Sequence, residues 1–429
     1  MKLANKPYKG TADWFPQEFT IRKYIFDVWR DVCTRFGYEE YLSPLVEPIE
    51  LFQAKSGEDL GGRELMTITD RAGRVVAIRP EMTPSVTRMV SQIYETTTKP
   101  IRYFSIANFM RAEKPQRGRN REFWQLNYDI FGAEGISADL EILQIALEIM
   151  LSFEPPKGSF TLFLNHRKLI DELLRSIKIE DDAVTEAIRI MDKWEKLTLP
   201  DLEERLEKIG ADQNAIEKIG KFMELTEMDG LLAEFPELKD TIGLKDVNSL
   251  IISLTKMGYG DWIKFQPNII RGFDYYDGMV FEVFDNNPSN LRSLFGGGRY
   301  NGLSSIFGSE DIPAVGCAPG DETIKLFLES WGLLDQLESS KTDKYYLPLI
   351  DERYDTQCEL LAKSLRSEGK IVERGLSLIK PGKALSYADK KRFRFVILLG
   401  EEEIRSNTYT LKDLSTGEQK NIAYSELQS

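Results

Sequence analysis

The sequence predicts an α+β chain built from more than one domain, and three patterns carry that expectation. The stretch REFWQLNYDIFG alternates apolar and polar side chains with the period of a strand. Residues 166 to about 258 repeat apolar positions with the period of a helix, and the last ninety or so residues alternate strand with helix. A chain of 429 residues has room for two or three hydrophobic cores.

The opening residues MKLANKPYKGTADWF lack an apolar h-region, and no later segment runs eighteen apolar residues, so neither secretion nor a membrane span is expected. From Ile21 the residues Ile25, Val28, Trp29, Val32 and Phe36 recur at helical spacing until Gly37, which predicts a long amphipathic helix. YLSPLVEPIELF follows, and its Pro44 and Pro48 bar a regular interior strand, so it reads as an edge or interface segment. RVVAIRPEMTPSVTRMV then predicts a buried strand, a turn marked by proline and a helix, with Glu81 and Thr83 at the junction.

Residues 109 to 125, FMRAEKPQRGRNREFWQ, gather Arg111, Arg117, Arg119 and Arg121 around a turn between two strand-like stretches. Such a knot of guanidinium forks suits a specific anion, since each can grip phosphate or carboxylate oxygens in pairs. In the second strand Trp124, Leu126, Tyr128 and Ile130 fall on one face, and Gln125, Asn127 and Asp129 on the other. That polar face continues from the arginine turn, although a solvent-facing strand would alternate in the same way.

The helical stretch after residue 166 shows Val184, Ala187, Ile188 and Met191 on one face, with breaks expected at Pro200, Gly210 and Gly220, and reads as an inserted helical module. Strand character returns at NIIRGFDYYDGMVFEVF, where Arg271 and Asp274 flank a turn before Tyr275 and Tyr276. GGGRYNGL places glycines at 296 to 298, which suit either close approach to a ligand or a tight turn. Beyond LESSKTDK the order is strand, helix, strand, helix, strand and a terminal hairpin, a separate α/β module. Its cations Lys380, Lys383, Lys390, Lys391, Arg392 and Arg394 read as a solvated helix face or as an RNA-facing patch.

Composition narrows the chemistry. With 56 basic against 69 acidic residues and a net charge of −13, a general nucleic-acid coat is excluded, and any RNA contact should be local and selective. Cys33, Cys317 and Cys358 have no metal or disulfide spacing, which fits a reducing cytoplasm. His166 is the single histidine, so a multi-histidine metal site is impossible, and no metal held by protein His or Cys is expected. It sits between FTLFLN and RKLIDELL, where a structural role at a strand-to-helix junction is expected.

In order along the chain, KGTADWFP, the helix with YLSPLVEPIELF (motif 1), RPEMT, FMRAEKPQRGRNREFWQ with LNYDIFG (motif 2), RGFDYYDGMVFE, GGGRYNGL and PAVGCAPG (motif 3) resemble the histidyl-tRNA synthetase family, within the class II aminoacyl-tRNA synthetases. RGFDYY is the most specific element, and SYADKKRFRFVILLG with KDLSTGEQ resembles the family's anticodon-binding module. The resemblance implies a class II antiparallel sheet of six or more strands with flanking helices, a helical insertion and a C-terminal α/β anticodon-binding domain. The boundaries expected are 1–165 and 259–335 for the two parts of the catalytic core, 166–258 for the insertion and 342–429 for the last domain.

It further implies a homodimer, formed through motif 1, that joins L-histidine to tRNA(His) at the expense of ATP with Mg2+. An ionised carboxylate attacks the α-phosphate, so positioning and charge neutralisation are needed rather than a general base. Arg111 and Arg271 match the catalytic arginines on either side of that phosphate. Glu81, Met82, Thr83, Arg111, Gln125, Asp129, Arg271, Tyr275 and Tyr276 match the histidine pocket, with one of the two tyrosines expected to point away if their segment is extended. Arg111, Glu113, Arg119, Arg121 and Phe123 match the ATP site, with Gln116 and Arg117 towards tRNA.

Two positions depart from the family pattern. Asp129 stands where glutamate is usual, and Thr323 replaces the arginine that meets the γ-phosphate, so Arg117, Arg119, Arg121, Mg2+ or a helix N-terminus is expected to take that load. Lys325 lies about 200° around a helix from residue 323 and cannot simply substitute. Rival readings are a non-catalytic regulatory subunit of ATP phosphoribosyltransferase and an RNA-binding sensor of uncharged tRNA.

Overall fold

The structure, a computed structural model, describes residues 4–54, 64–194, 197–270, 275–290, 292–308, 310–335 and 342–424. Arg271 and Asp274 lie outside the described residues. The chain divides into two units, Met1–Leu334 and Asp335–Ser429.

In the first unit the strands are β1 (Glu39–Glu40), β2 (Val46–Pro48), β3 (Met66–Thr69), β4 (Val75–Ile78), β5 (Ile101–Met110), β6 (Glu122–Phe131), β7 (Phe160–His166), β8 (Ile263–Phe265), β9 (Met279–Asp285), β10 (Ser293–Arg299) and β11 (Ala314–Cys317). Eight of them form one sheet in the order β1-β5-β6-β11-β10-β9-β7-β8. The six from β5 to β7 pair antiparallel, and the short edge strands β1 and β8 pair parallel. A separate sheet has the order β2-β4-β3. Pro48 ends β2 on an edge of that sheet, where a missing N–H costs no ladder bond.

Helix α1 (Pro16–Arg35) starts five residues before the first apolar repeat. Proline at its first turn fixes φ without forfeiting a helical bond, a signal that apolar periodicity does not contain. Its buried stripe, Arg22, Ile25, Trp29, Val32 and Cys33, follows the three-to-four spacing, and Gly37 stops it at φ +79. Burying an Ile or Val side chain contributes about 2 kcal/mol each, which outweighs the modest helix propensity of those residues. Trp124 on the apolar face of β6 meets the Phe26 ring at 5.3 Å, and the Tyr128 hydroxyl on the same face donates to the Ile142 carbonyl.

The remaining helices of this unit are α2 (Glu50–Gln53), α3 (Thr83–Ile93), α4 (Ile136–Leu151), α5 (Arg167–Ser176), α6 (Val184–Met191), α7 (Leu199–Lys208), α8 (Gln213–Glu224), α9 (Met228–Glu234), α10 (Ile242–Lys256) and α11 (Asp321–Ser330). Pro200 opens α7 and Gly210, at φ +89, follows its end, as the breaks predict. Gly220 differs, for it lies inside α8. Ile216, Ile219, Phe222 and Met223 are buried from that helix, and their packing exceeds the cost of about 1 kcal/mol for an internal glycine. His166 caps α5, its Nδ1 accepting the Lys168 N–H at 3.1 Å. Burial pushes its pKa down to about 4, so the ring is neutral. The glycines at 296 to 298 belong to the interior of β10 and form no turn.

The second unit has strands β12 (Thr342–Leu349), β13 (Ile371–Leu378), β14 (Phe393–Leu398), β15 (Thr408–Asp413) and β16 (Gln419–Ala423), with helices α12 (Asp355–Ser367), α13 (Pro381–Lys390) and α14 (Glu401–Ser406). The sheet order is β13-β12-β14-β15-β16, with parallel pairing among the first three and antiparallel pairing in the last hairpin. Within the cation cluster Arg394 pairs with Asp343 and Asp413, and Lys391 with Glu373. Lys380, Lys383 and Lys390 are exposed on and beside α13.

Candidate active site

A cavity of about 680 Å³ opens on the polar face of the large sheet. Gln125, Asn127 and Asp129 of β6 all line it, so the polar face read from sequence forms a cavity wall and not an open solvent face. Glu81, Thr83, Arg111, Glu113, Gln116, Arg119, Phe123, Tyr275 and Tyr276 line it as well.

One end is buried and hydrogen-bonded. Asp129 is 4% exposed, and the Tyr300 hydroxyl donates to its Oδ1 at 2.5 Å. Burial pushes the Asp129 carboxyl up to about 7, against the pull of that hydrogen bond. Across the sheet Asp129 is paired with Gly316 of β11, where a Cβ would lie 1.8 Å from Asp129 Oδ1. Only glycine leaves the carboxyl room there. The Tyr275 hydroxyl donates to Glu81 Oε2 at 3.3 Å, and the Tyr275 ring meets Tyr300 edge-on at 5.8 Å. Tyr275 and Tyr276 both line the cavity because they precede β9 in non-strand backbone, where the alternation of an extended segment does not apply.

The other end is a charged rim. Arg111 follows β5, its Nε donating to the Pro80 carbonyl at 3.0 Å and its guanidinium lying 5.0 Å from the Phe123 ring centroid. Burial lowers its pKa while Glu81 opposes the shift. Glu113 lies between two arginines, 3.7 Å from Arg111 and ion-paired with Arg119. The turn closes through reciprocal bonds between Gln116 and Arg119, with Gly118 at φ +72. A Cβ on Gly118 would come within 2.6 Å of Arg292 Nη1.

Three of the expected residues that are described do not line the cavity. Arg121 is held away from it by Tyr8, Lys9 and the Glu113 carbonyl. Arg117 is exposed, and its carbonyl accepts from Arg292 Nη1 at 2.8 Å. Met82 is fully buried in an apolar cluster, its sulfur accepting the Ser43 hydroxyl.

Thr323, in the first turn of α11, lines the cavity and donates its hydroxyl to the Leu294 carbonyl at 2.7 Å. Before it, Asp321 and Glu322 pair with the buried Arg22, and the Trp124 N–H donates to Asp321 at 2.9 Å. Burial pushes Asp321 up to about 7. Sequence reasoning missed Glu282, Arg292, Tyr300, Asp321 and Glu322 as cavity residues. Tyr300 stood beside the glycines that drew notice, whereas Arg292 has no local motif to announce it.

The comparisons agree along the whole chain. A family model described as histidyl-tRNA synthetase matches residues 10–323, and one described as an anticodon binding domain matches 341–429. A histidine–tRNA ligase of Leptospira biflexa is 41% identical over 99% of this chain and 97% of its own length, and that of Pyrococcus furiosus is 34% identical over 98% and 96%. The solved histidyl-tRNA synthetase of Nostoc sp. PCC 7120 superimposes with a TM-score of 0.82 over 100% of this chain and 99% of its own, at 22% identity, a likeness of fold. By the family model and by these relatives, the chain belongs to the histidyl-tRNA synthetase family.

Proposed function

We propose that this protein is a histidine–tRNA ligase, which condenses L-histidine with ATP to histidyl-adenylate and pyrophosphate and then passes the histidyl group to the 3′ end of tRNA(His). The observation that carries the reading is the arrangement along β6, whose polar face runs from Phe123, beside the Arg111 guanidinium, to the buried Asp129–Tyr300 pair. A phosphoryl centre needs the first and an imidazole needs the second.

In this reading the histidine carboxylate attacks the α-phosphate, and the bond to the leaving pyrophosphate breaks. Arg111 neutralises charge as it builds there, a role that the family resemblance also gives to Arg271. Phe123 stacks on adenine, while Glu113 and Arg119 border the nucleotide. ATP enters as its Mg2+ complex; Mg2+ is a hard cation that takes one or two carboxylates besides phosphate oxygens, and Glu282 is a carboxylate on the cavity wall.

Asp129, Tyr275 and Tyr276 surround the imidazole, and Glu81, Thr83 and Gln125 hold the α-amino end. A pocket whose buried polar groups need a ring N–H rejects an analogue without one by roughly 10⁴ to 10⁵. Gln116 and Arg117 meet the tRNA acceptor end, and the unit after residue 342 meets the anticodon. Residues 1–165 and 259–335 act as the catalytic core around the insertion at 166–258.

A homodimer is supported by exposed Val46 and Ile68, which share one face of the small sheet, and by exposed Leu42 and Leu45 just before β2, apolar side chains of the kind a second copy would cover. A cytoplasmic location fits three free, buried cysteines. Neither the regulatory-subunit nor the tRNA-sensor reading gains support from relatives that are themselves named as ligases.

Histidine-dependent ATP–pyrophosphate exchange, followed by charging of a tRNA with a histidine anticodon, tests the proposal. Both reactions are expected. No exchange would remove the ligase reading, and exchange without charging would leave an amino-acid-activating paralogue.

A further inference from the structure

Three basic side chains among the described residues line the cavity: Arg111, Arg119 and Arg292. The first two already face a carboxylate, Glu113. Arg292 forms no ion pair with a described carboxylate, and its guanidinium donates to the Arg117 carbonyl at 2.8 Å. A guanidinium carries five N–H donors, so a cavity wall with this one uncompensated is suited to an anion with several oxygens.

Its place in the sheet says which end of the cavity it serves. Gly298 of β10 pairs with Gly316, and Gly316 with Asp129, so Gly298 is level with the buried end. Arg292 lies six residues before Gly298, roughly 20 Å along a strand at the usual rise. There it packs against Gly118 of the arginine turn. Two residues on, Leu294 holds the Thr323 hydroxyl. The start of β10 thus meets the turn through Arg292 and the first turn of α11 through Leu294.

The alternatives for the far phosphates are poorer. Arg121 is committed to Tyr8, Lys9 and the Glu113 carbonyl. Lys325 lies near Glu329. The N-terminus of α11 begins with Asp321 and Glu322, whose charges oppose a phosphate and already engage Arg22.

We propose that Arg292 binds the β- and γ-phosphates of ATP, supplying from the tip of β10 the cation that Thr323 does not supply from α11. The proposal rests on the ligase reading. It assigns a positioning contact on the leaving group, so removal should change polyphosphate binding and spare the adenosine monophosphate portion.

The test uses the full chain, with Arg292→Ala, Arg292→Gln, Arg292→Lys and Arg292→Ala/Thr323→Arg, and calorimetric titration of ATP, AMP and inorganic pyrophosphate. Loss of a charge-assisted contact should weaken ATP and pyrophosphate about tenfold or more in the Ala and Gln variants and leave AMP unchanged. Lys should be intermediate, and Thr323→Arg should recover part of the loss. In exchange assays KM for ATP should rise while KM for histidine holds.

Equal weakening of ATP and AMP, or ATP affinity within twofold of wild type, would overturn the assignment. Retained AMP binding certifies the fold of each variant, and Gln serves if Ala does not fold. Wild-type protein without histidine-dependent exchange would remove the ligase reading, while the ATP-against-AMP contrast would still decide on Arg292. Wild-type protein that binds neither nucleotide would overturn both.

Discussion

The two ends of the cavity are built on different principles. At the Asp129 end the polar groups are buried, with Glu81 5% exposed and Tyr275 8%, and each is held by another side chain before any ligand arrives. At the Arg111 end burial is uneven, for Glu113 is 8% exposed while the Arg119 side chain is 50% exposed. There carboxylates such as Glu113 occupy guanidinium groups that a phosphate would engage. Recognition of a small neutral ring requires donors and acceptors fixed in advance, because an unmatched buried group costs about 1–3 kcal/mol. A polyphosphate brings enough charge to compete for its own partners.

The sharpest way to break the comparison is Arg111→Ala, which should lower the rate of ATP–pyrophosphate exchange by on the order of 10² to 10³ and leave the melting temperature nearly unchanged. A drop below tenfold would mean that the rim does not govern the chemistry. At the buried end Gly316→Ala should act on the other substrate. Its Cβ must displace Asp129, so KM for histidine should rise about tenfold while ATP affinity holds, with a stability cost of about 1–3 kcal/mol from overpacking. Equal changes in both substrates would deny the ends their independence.

Acidity distinguishes the ends as well. Asp129 has its folded-state pKa raised to about 7, so the stability it contributes is present below the ordinary carboxylate range and is lost as pH rises through about 7. Asp129→Asn keeps the Tyr300 acceptor and cannot ionise. The variant should therefore gain on wild type by a few degrees in melting temperature between pH 5.5 and pH 8.5. A flat difference would show that burial does not govern this carboxyl. The smallest effect expected is from His166→Ala, outside the cavity lining, which should remove an N-cap at about 1 kcal/mol and leave both KM values unchanged.

Local pattern revealed the faces of β6 and the stripe of α1, because period and burial are set within ten or twenty residues. It was silent on α14, six residues with no apolar repeat, which the Gly400 N–H to Glu403 contact caps at 2.9 Å. It was also silent on Tyr300 and Arg292. They reach the cavity only through the pairing of β6 with β11 and β11 with β10, which joins residues far apart in the chain. The arginine knot was visible but could not be apportioned. Whether each guanidinium faces the cavity depends on partners elsewhere, and Arg121 finds its own among the first ten residues.

That last contact changes what the beginning of the chain is for. Gly10 accepts the backbone N–H groups of Arg121 and Glu122, and Tyr8 lies under the Arg121 guanidinium. The opening segment therefore works as a latch on the returning strand of the turn, holding the Arg121 guanidinium away from the cavity that Arg111 and Arg119 line. Trimming or tethering it would act as a substitution in the cavity wall, introduced more than a hundred residues upstream.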